Sequence, residues 1–208
     1  MTYSIHIEID DTFIEAVDPA SLQLAAELTL AACGESAGLL SLVITDDATV
    51  QELNRTYRGI DSPTDVLSFA NQDPTPMPSY LPPIGDADEE RAADTVAATE
   101  MAWTTVAEDE SGADESQLPD ELAAELATYL GDILIAYPYA ARQAADYENS
   151  VAAELRLLTV HGVLHLLGYD HASAEEEAEM WSIQRQVLAH FGDEALTYRA
   201  YQVDESHG

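Results

Sequence analysis

Three histidines, His161, His165 and His171, fall within the short stretch HGVLHLLGYDH. His161 and His165 are four residues apart, so on a helix they project from one face about one turn from each other, as two ligands of one metal must. Gly168 is suited to the left-handed conformation that ends a helix and turns the chain back after Leu167. His171 then follows within three residues. A single histidine among leucines is ordinarily a core residue with a satisfied ring. Three of them arranged around a turn glycine point instead to one metal ion.

The same spacing occurs in the long metzincin zinc motif, H-E-x-x-H-x-x-G-x-x-H. Three neutral imidazoles at about 2.0 to 2.1 Å leave a tetrahedral zinc one open position, the mark of a catalytic rather than a structural site. Water bound there ionises near neutrality, with a pKa of about 7. The expected cofactor is therefore one Zn2+ per chain, at the end of a central helix. A metzincin carries its general-base glutamate beside the first histidine, where this chain has Gly162. Peptide hydrolysis loses its proton acceptor, and either the zinc acts without a helper or another carboxylate such as Asp170 assists. Asp170 sits in a tight turn, where an aspartate more often bonds the backbone or orients a ligand than carries protons.

The elements that must position these residues are legible from periodicity and caps. YSIHIEID (residues 3–10) alternates apolar and polar residues as a half-buried edge strand does. Pro19 to Cys33 has apolar residues at helical spacing, with Asp18 placed to cap it and Gly34 to stop it. LLSLVIT (39–45) predicts a buried strand, and Asp46 or Asp47 can cap a short helix through DDATVQELNRTYR. DVLSF (65–69), after the turn signal DSPT, predicts a third, buried strand, and GDILIAY (131–137) a fourth. Helices follow over 138–147, 150–167 and 174–190, the last opened by Ser173 with acidic residues in its first turn. The implied fold is α+β: a small mixed four-stranded sheet packed with about five helices.

Residues 70–129 interrupt this order with an acidic, proline-rich insertion in which Arg91 is the only basic residue. So long a stretch suits an exposed, partly disordered segment, with a helix near residues 120–129. The tail, residues 202–208, is expected to fray. The rest forms one domain spanning the 208 residues. No apolar run approaches the roughly 18 residues of a membrane span, and MTYSIHIEIDD lacks the features of a signal peptide, so the expected compartment is the cytoplasm. Cys33 is the only cysteine, which excludes an internal disulfide and a thiolate metal cluster.

Beyond the histidine motif, two blocks carry a family resemblance: LNRTYRGIDSPTDVLSF (53–69) and LGDILIAYPYAARQA (130–144). With HGVLHLLGYDH they make the chain resemble the bacterial YbeY proteins, zinc-dependent single-strand-specific endoribonucleases and rRNA maturation factors. The resemblance implies that His161, His165 and His171 hold the metal and that Arg58 is functionally important. It implies action on single-stranded rRNA, at the 16S 3′ end and in ribosome quality control, with the small ribosomal subunit and a ribosomal protein or GTPase as partners and neither DNA nor membrane. A guanidinium suits that role because it is always charged and grips a phosphate with two parallel hydrogen bonds. Arg55, by contrast, is expected to pair with a carboxylate, and Thr64, Asp65 and Ser68, which also match the family, either to hold strand geometry or to touch RNA. Two features depart from typical members: Ala70 replaces a proline after LSF, and the acidic insertion replaces a short connection. The rival classes are a metallopeptidase and a non-catalytic ribosome assembly factor.

Charge sits awkwardly with an RNA substrate, because 40 acidic residues oppose 7 basic ones and the formal net charge is -33. Phosphate backbones are bound largely by neutralising them with Lys and Arg. Two readings account for the acidity: adaptation to a salty cytosol, where self-repulsion is screened within about 3 Å at 1 M salt, or compositional bias with an acidic surface loop. A KCl titration of thermal stability separates them. Stability that climbs into the molar range supports the first, and a maximum at low salt excludes it.

Overall fold

The computed structural model describes residues 2–71 and 128–198. Four strands, β1 (Thr2–Ile9), β2 (Ala37–Thr45), β3 (Val66–Ala70) and β4 (Tyr129–Ala136), form one sheet in the order β1-β2-β4-β3. β1, β2 and β4 run parallel, and β3 pairs antiparallel with β4. Around the sheet lie α1 (Pro19–Ala32), α2 (Asp47–Arg58), α3 (Tyr137–Asp146), α4 (Val151–Leu166) and α5 (Ala174–Leu188), followed by a 3-10 turn at Glu194–Tyr198. This is the expected α+β fold. None of the helices among the described residues is long and apolar enough to cross a membrane.

The helix starts follow the side-chain chemistry of their caps. Asp18 accepts from the Ala20 amide, Asp46 from Thr49, Ser150 from Ala153 and Ser173 from Glu176. The last is a full capping box, because Glu176 returns a bond to the Ser173 amide. Each such cap stabilises its helix by about 1 kcal/mol. β1 alternates exposed and half-buried residues along its length, as an edge strand must.

The two faces of the sheet are covered by different helices. On one, Leu40, Leu42, Ile44, Ile133 and Ile135 pack with Leu22, Ala26 and Leu30 of α1 and with Leu155, Leu158 and Val163 of α4. On the other, Leu67, Phe69 and Ala136 pack with Val50 and Leu53 of α2 and Tyr139 of α3. β3 contributes to both, Val66 and Ala70 facing α4's side and Leu67 and Phe69 facing α2's. α4 is buried around most of its circumference, since α5 covers Leu157, Val160 and Leu164 through Met180, Val187 and Leu188. Such a helix is apolar on every side because every side has a neighbour.

Three expectations need correction or a limit. β3 is the outermost strand and not a buried one: only Leu67 is fully covered, because the second edge of β3 has no partner among the described residues. β4 begins at Tyr129, so Ala70 and Tyr129 belong to the sheet and the Asn71 amide still donates to the Leu130 carbonyl. The predicted helix near residues 120–129 therefore cannot reach Tyr129. The rest of that helix, the disorder assigned to the insertion and the fraying of residues 202–208 all lie outside the described residues.

At Gly162 the helix comes close against the sheet. A Cβ built there would lie 2.8 Å from Ile133 Cγ2 and 3.2 Å from Ser68 Oγ. Ile133 is fully buried and has little freedom to yield. Gly162→Ala is therefore expected to destabilise the protein by about 1 to 3 kcal/mol through overpacking. Chemical denaturation would measure this, and a variant as stable as the parent would contradict the packing described.

Candidate metal centre

His161 and His165 lie on the last turns of α4, and the end of that helix determines where His171 can go. The Gly168 amide donates to the His165 carbonyl and the Tyr169 amide to the Leu164 carbonyl, with Gly168 at φ 85°. This Schellman arrangement needs a residue that tolerates positive φ, and glycine does so without a steric penalty. Tyr169 packs beside Leu164, completing the motif. Asp170 then accepts the His171 amide at 2.8 Å through Oδ1, which closes the turn and aims His171 back at the helix.

The three side chains meet. His165 Nε2 stands 3.0 Å from His161 Nε2, and one ligand atom from each histidine lies within 4.8 Å of the other two. Ring centroids are 4.5 Å apart for His161 and His165, 5.7 Å for His161 and His171, and 5.3 Å for His165 and His171. Nitrogens held at about 2.0 to 2.1 Å around a tetrahedral ion are separated by about 3.3 Å, so the cluster needs only small adjustments to hold a metal. His161 is buried and the other two are partly exposed, so one side of the cluster faces outward.

Electrostatics favour a neutral ring at His165, the form that ligation requires. Burial pushes the pKa of His165 below its ordinary value of 6.5, and the charges of His171 and Arg58 push the same way against the opposing pull of Asp170. Arg58 thus belongs to the surroundings of the cluster although it ends α2, which covers the opposite face of the sheet. Both helices pack against β3. Arg58 makes no ion pair among the described residues, whereas Arg55, Arg142 and Arg156 hold Glu52, Asp47 and Asp193. The expectation that Arg55 is engaged by a carboxylate agrees with this geometry.

Of the remaining sequence candidates, Asp65 is buried and serves the strand. It accepts from Thr64 Oγ1 at 3.0 Å, from the Val66 amide at 2.9 Å and from Gln143 Nε2 at 3.2 Å, tying α3 to the start of β3. Ser68 lies against Gly162, next to the first histidine. The position where a peptidase would carry glutamate thus faces the sheet and has no room for a side chain. Sequence reasoning passed over Asn54, a buried residue whose amide donates to the Ser62 carbonyl at 2.8 Å. With Gln51 donating to Asp61, it fastens the segment after Arg58 onto α2. The available signal was a polar residue four positions after Val50, on the apolar face of an otherwise amphipathic helix.

Comparison with known proteins bears on this combination. The model of the family described as Endoribonuclease YbeY matches residues 6–192. The chain belongs to this family. The endoribonuclease YbeY of Moorella thermoacetica is 40% identical over 154 residues, which are 74% of this chain and 72% of that protein. That of Brevibacillus brevis is 38% identical over 190 residues, 90% of this chain and 94% of the relative. That of Chloroflexus aggregans is 36% identical over 194 residues, 92% and 98% of the two chains. In this YbeY-family chain the family match runs through both flanks of the acidic insertion, and the histidine cluster lies inside it.

A depressed His165 pKa means that protons compete with a metal only below the usual histidine range. Metal loaded at neutral pH is expected to stay bound on dialysis at pH 6.5 and to leave at more acidic pH, with His165→Ala losing it throughout. Elemental analysis after dialysis at a series of pH values reads the outcome. Release already complete at the ordinary histidine pKa of 6.5 would contradict the assigned surroundings of His165.

Proposed function

We propose that this YbeY-family chain is a zinc-dependent endoribonuclease that hydrolyses phosphodiester bonds of single-stranded rRNA, acting at the 16S 3′ end in ribosome maturation and quality control in the cytoplasm. The observation that carries this reading is a three-imidazole cluster whose electrostatic surroundings include Arg58, an arginine with no ion pair among the described residues. His161, His165 and His171 would hold one zinc. Bound there, zinc supplies Lewis acidity that lowers the pKa of a water and polarises a phosphate oxygen. Nitrogen donors alone suit zinc better than magnesium or calcium, which prefer oxygen ligands.

Arg58 has the part of holding the phosphate. Its guanidinium stays charged at any working pH and matches two phosphate oxygens at once. At the C-terminal end of α2 it also sits where a helix dipole favours a cation. Glu52 holds Arg55 aside, which leaves Arg58 to meet the substrate. Asp170 is committed through one oxygen to the His171 amide, which supports a positioning part for it. The packing at Gly162 speaks against a peptidase, because the glutamate such an enzyme needs would collide with Ile133. Affinity for an acidic chain on a polyanion is expected to come partly from the small ribosomal subunit and a protein partner there, either a ribosomal protein or a GTPase.

Cleavage of a single-stranded RNA by zinc-loaded protein tests the reading. His165→Ala should lose both zinc and cleavage, and Arg58→Ala should keep zinc while cleavage falls by about a hundredfold or more. Undiminished cleavage by Arg58→Ala would remove it from the mechanism. Zinc-loaded protein that binds ribosomal particles yet cleaves no RNA would establish the assembly-factor alternative.

A further inference from the structure

The pairing of β3 with β4 decides which backbone groups of the edge strand are free. The Ala136 amide donates to the Asp65 carbonyl and the Asn71 amide to the Leu130 carbonyl, each between directly opposed residues. Alternation along an antiparallel pair then makes Leu67–Leu134 and Phe69–Asp132 bonded pairs as well. The N–H and C=O groups of Val66, Ser68 and Ala70 therefore point away from the sheet. No other strand among the described residues pairs with them. Natural edges are commonly blunted by charge, proline or a bulge, and VLSFA contains no charge and no proline.

This edge, unpaired among the described residues, is bracketed by the two functional features already described. On one face, Ser68 abuts Gly162, the neighbour of His161. On the other, Phe69 meets Tyr57 edge-on with ring centroids 5.2 Å apart, and Arg58 follows Tyr57. A chain with 7 arginines and lysines against 40 carboxylates has few cations with which to hold RNA. Of the arginines among the described residues, Arg55, Arg142 and Arg156 are already paired. Recognition by neutral hydrogen-bonding groups escapes this shortage.

We propose that the free edge of β3, at Val66, Ser68 and Ala70, is a base-recognition subsite that hydrogen-bonds the unpaired edge of a nucleobase beside the phosphate held by Arg58. The inference rests on the endoribonuclease reading above. Each outward residue offers a donor and an acceptor together, about 6.6 to 6.8 Å from the next such residue. Bases of a single strand present donors and acceptors on their Watson–Crick edges, whereas in a duplex those groups are already engaged. The edge thereby rejects paired RNA without any additional side chain. An extended polypeptide has compatible groups, but a position between the metal cluster and a phosphate-binding arginine favours the nucleic acid.

Amide exchange followed by NMR on the zinc-loaded protein tests this, with a phosphorothioate single-stranded oligoribonucleotide as the probe. Exchange at Val66, Ser68 and Ala70 should slow by about tenfold on binding, the equivalent of one hydrogen bond, and a duplex of the same sequence should have no such effect. Ser68→Pro removes one outward N–H and spares the ladder, as proline does on edge strands. It should weaken binding by about tenfold with zinc content unchanged, while Ser68→Ala, which keeps the N–H, should bind as the parent does. Unslowed exchange at all three residues, or slowing by a basic peptide and not by RNA, would overturn the proposal. If Ser68→Pro fails to fold, exchange in the parent protein decides alone. Should the parent cleave single-stranded RNA with an unprotected edge, only this inference fails. Should it cleave nothing, the endoribonuclease reading fails with it.

Discussion

The seating of α4 on the sheet at Gly162 is the constraint on which the site depends. There the helix comes so near β4 and β3 that no side chain fits between Gly162 and Ile133. That contact sets the distance and rotation of α4, and so the direction of His161 and His165, one and three residues away. Layers on both sides hold the helix in place, α5 outside and the sheet inside, so the histidines are carried by an element with little room to shift. A metal site needs such rigidity, because ligand geometry is only as accurate as its scaffold. His171 comes from a turn instead, and its accuracy derives from the Schellman bonds at Gly168 and from the Asp170 carboxylate.

Around that fixed helix, the edge of the sheet brings separate elements into one neighbourhood. α2 and α4 cover opposite faces, and only where β3 ends the sheet can the end of one reach the surroundings of the other. The charge of Arg58 is among the influences that lower the pKa of His165. Supporting polar contacts stabilise the approach: Asn54 and Gln51 hold the segment after Arg58, and Asp65 with Gln143 holds the start of β3. The buried Asn54 and Asp65 each make a directional bond to another part of the chain, as polar groups taken out of water tend to do.

Acidity shapes what such a site can do. A net charge of -33 opposes a polyanion at long range, yet long-range fields are screened within about 8 Å at physiological ionic strength. Contacts inside that distance decide local recognition. The cluster and its surroundings are accordingly built from imidazoles, an arginine with no ion pair among the described residues, and backbone groups.

Much of this was legible beforehand where the signal is local. Caps at Asp18, Asp46, Ser150 and Ser173, the alternation in β1 and the four-residue spacing of His161 and His165 each follow from geometry within a few residues. The predicted left-handed turn at Gly168 was of the same kind. VLSF was misjudged as buried because an apolar run looks alike whether its strand lies inside a sheet or at the edge with both faces covered. Gly162 was legible as the absence of a glutamate but not as a contact, since Ile133 and Ser68 lie far away in the chain. Asn54 was overlooked because its partner, the Ser62 carbonyl, is brought near by the turn of the chain after α2.

By itself, then, the sequence determined the elements, the caps and the capacity of three histidines to share a metal, because periods of 2 and 3.6 residues and turn chemistry act between near neighbours. The tertiary structure alone decided that β3 is the outermost strand of the described sheet, that Gly162 packs on Ile133 with no room for a side chain, and that the charge of Arg58 acts on His165. Those outcomes depend on strand order and on which surfaces meet, and such long-range contacts are written in no local stretch of the chain.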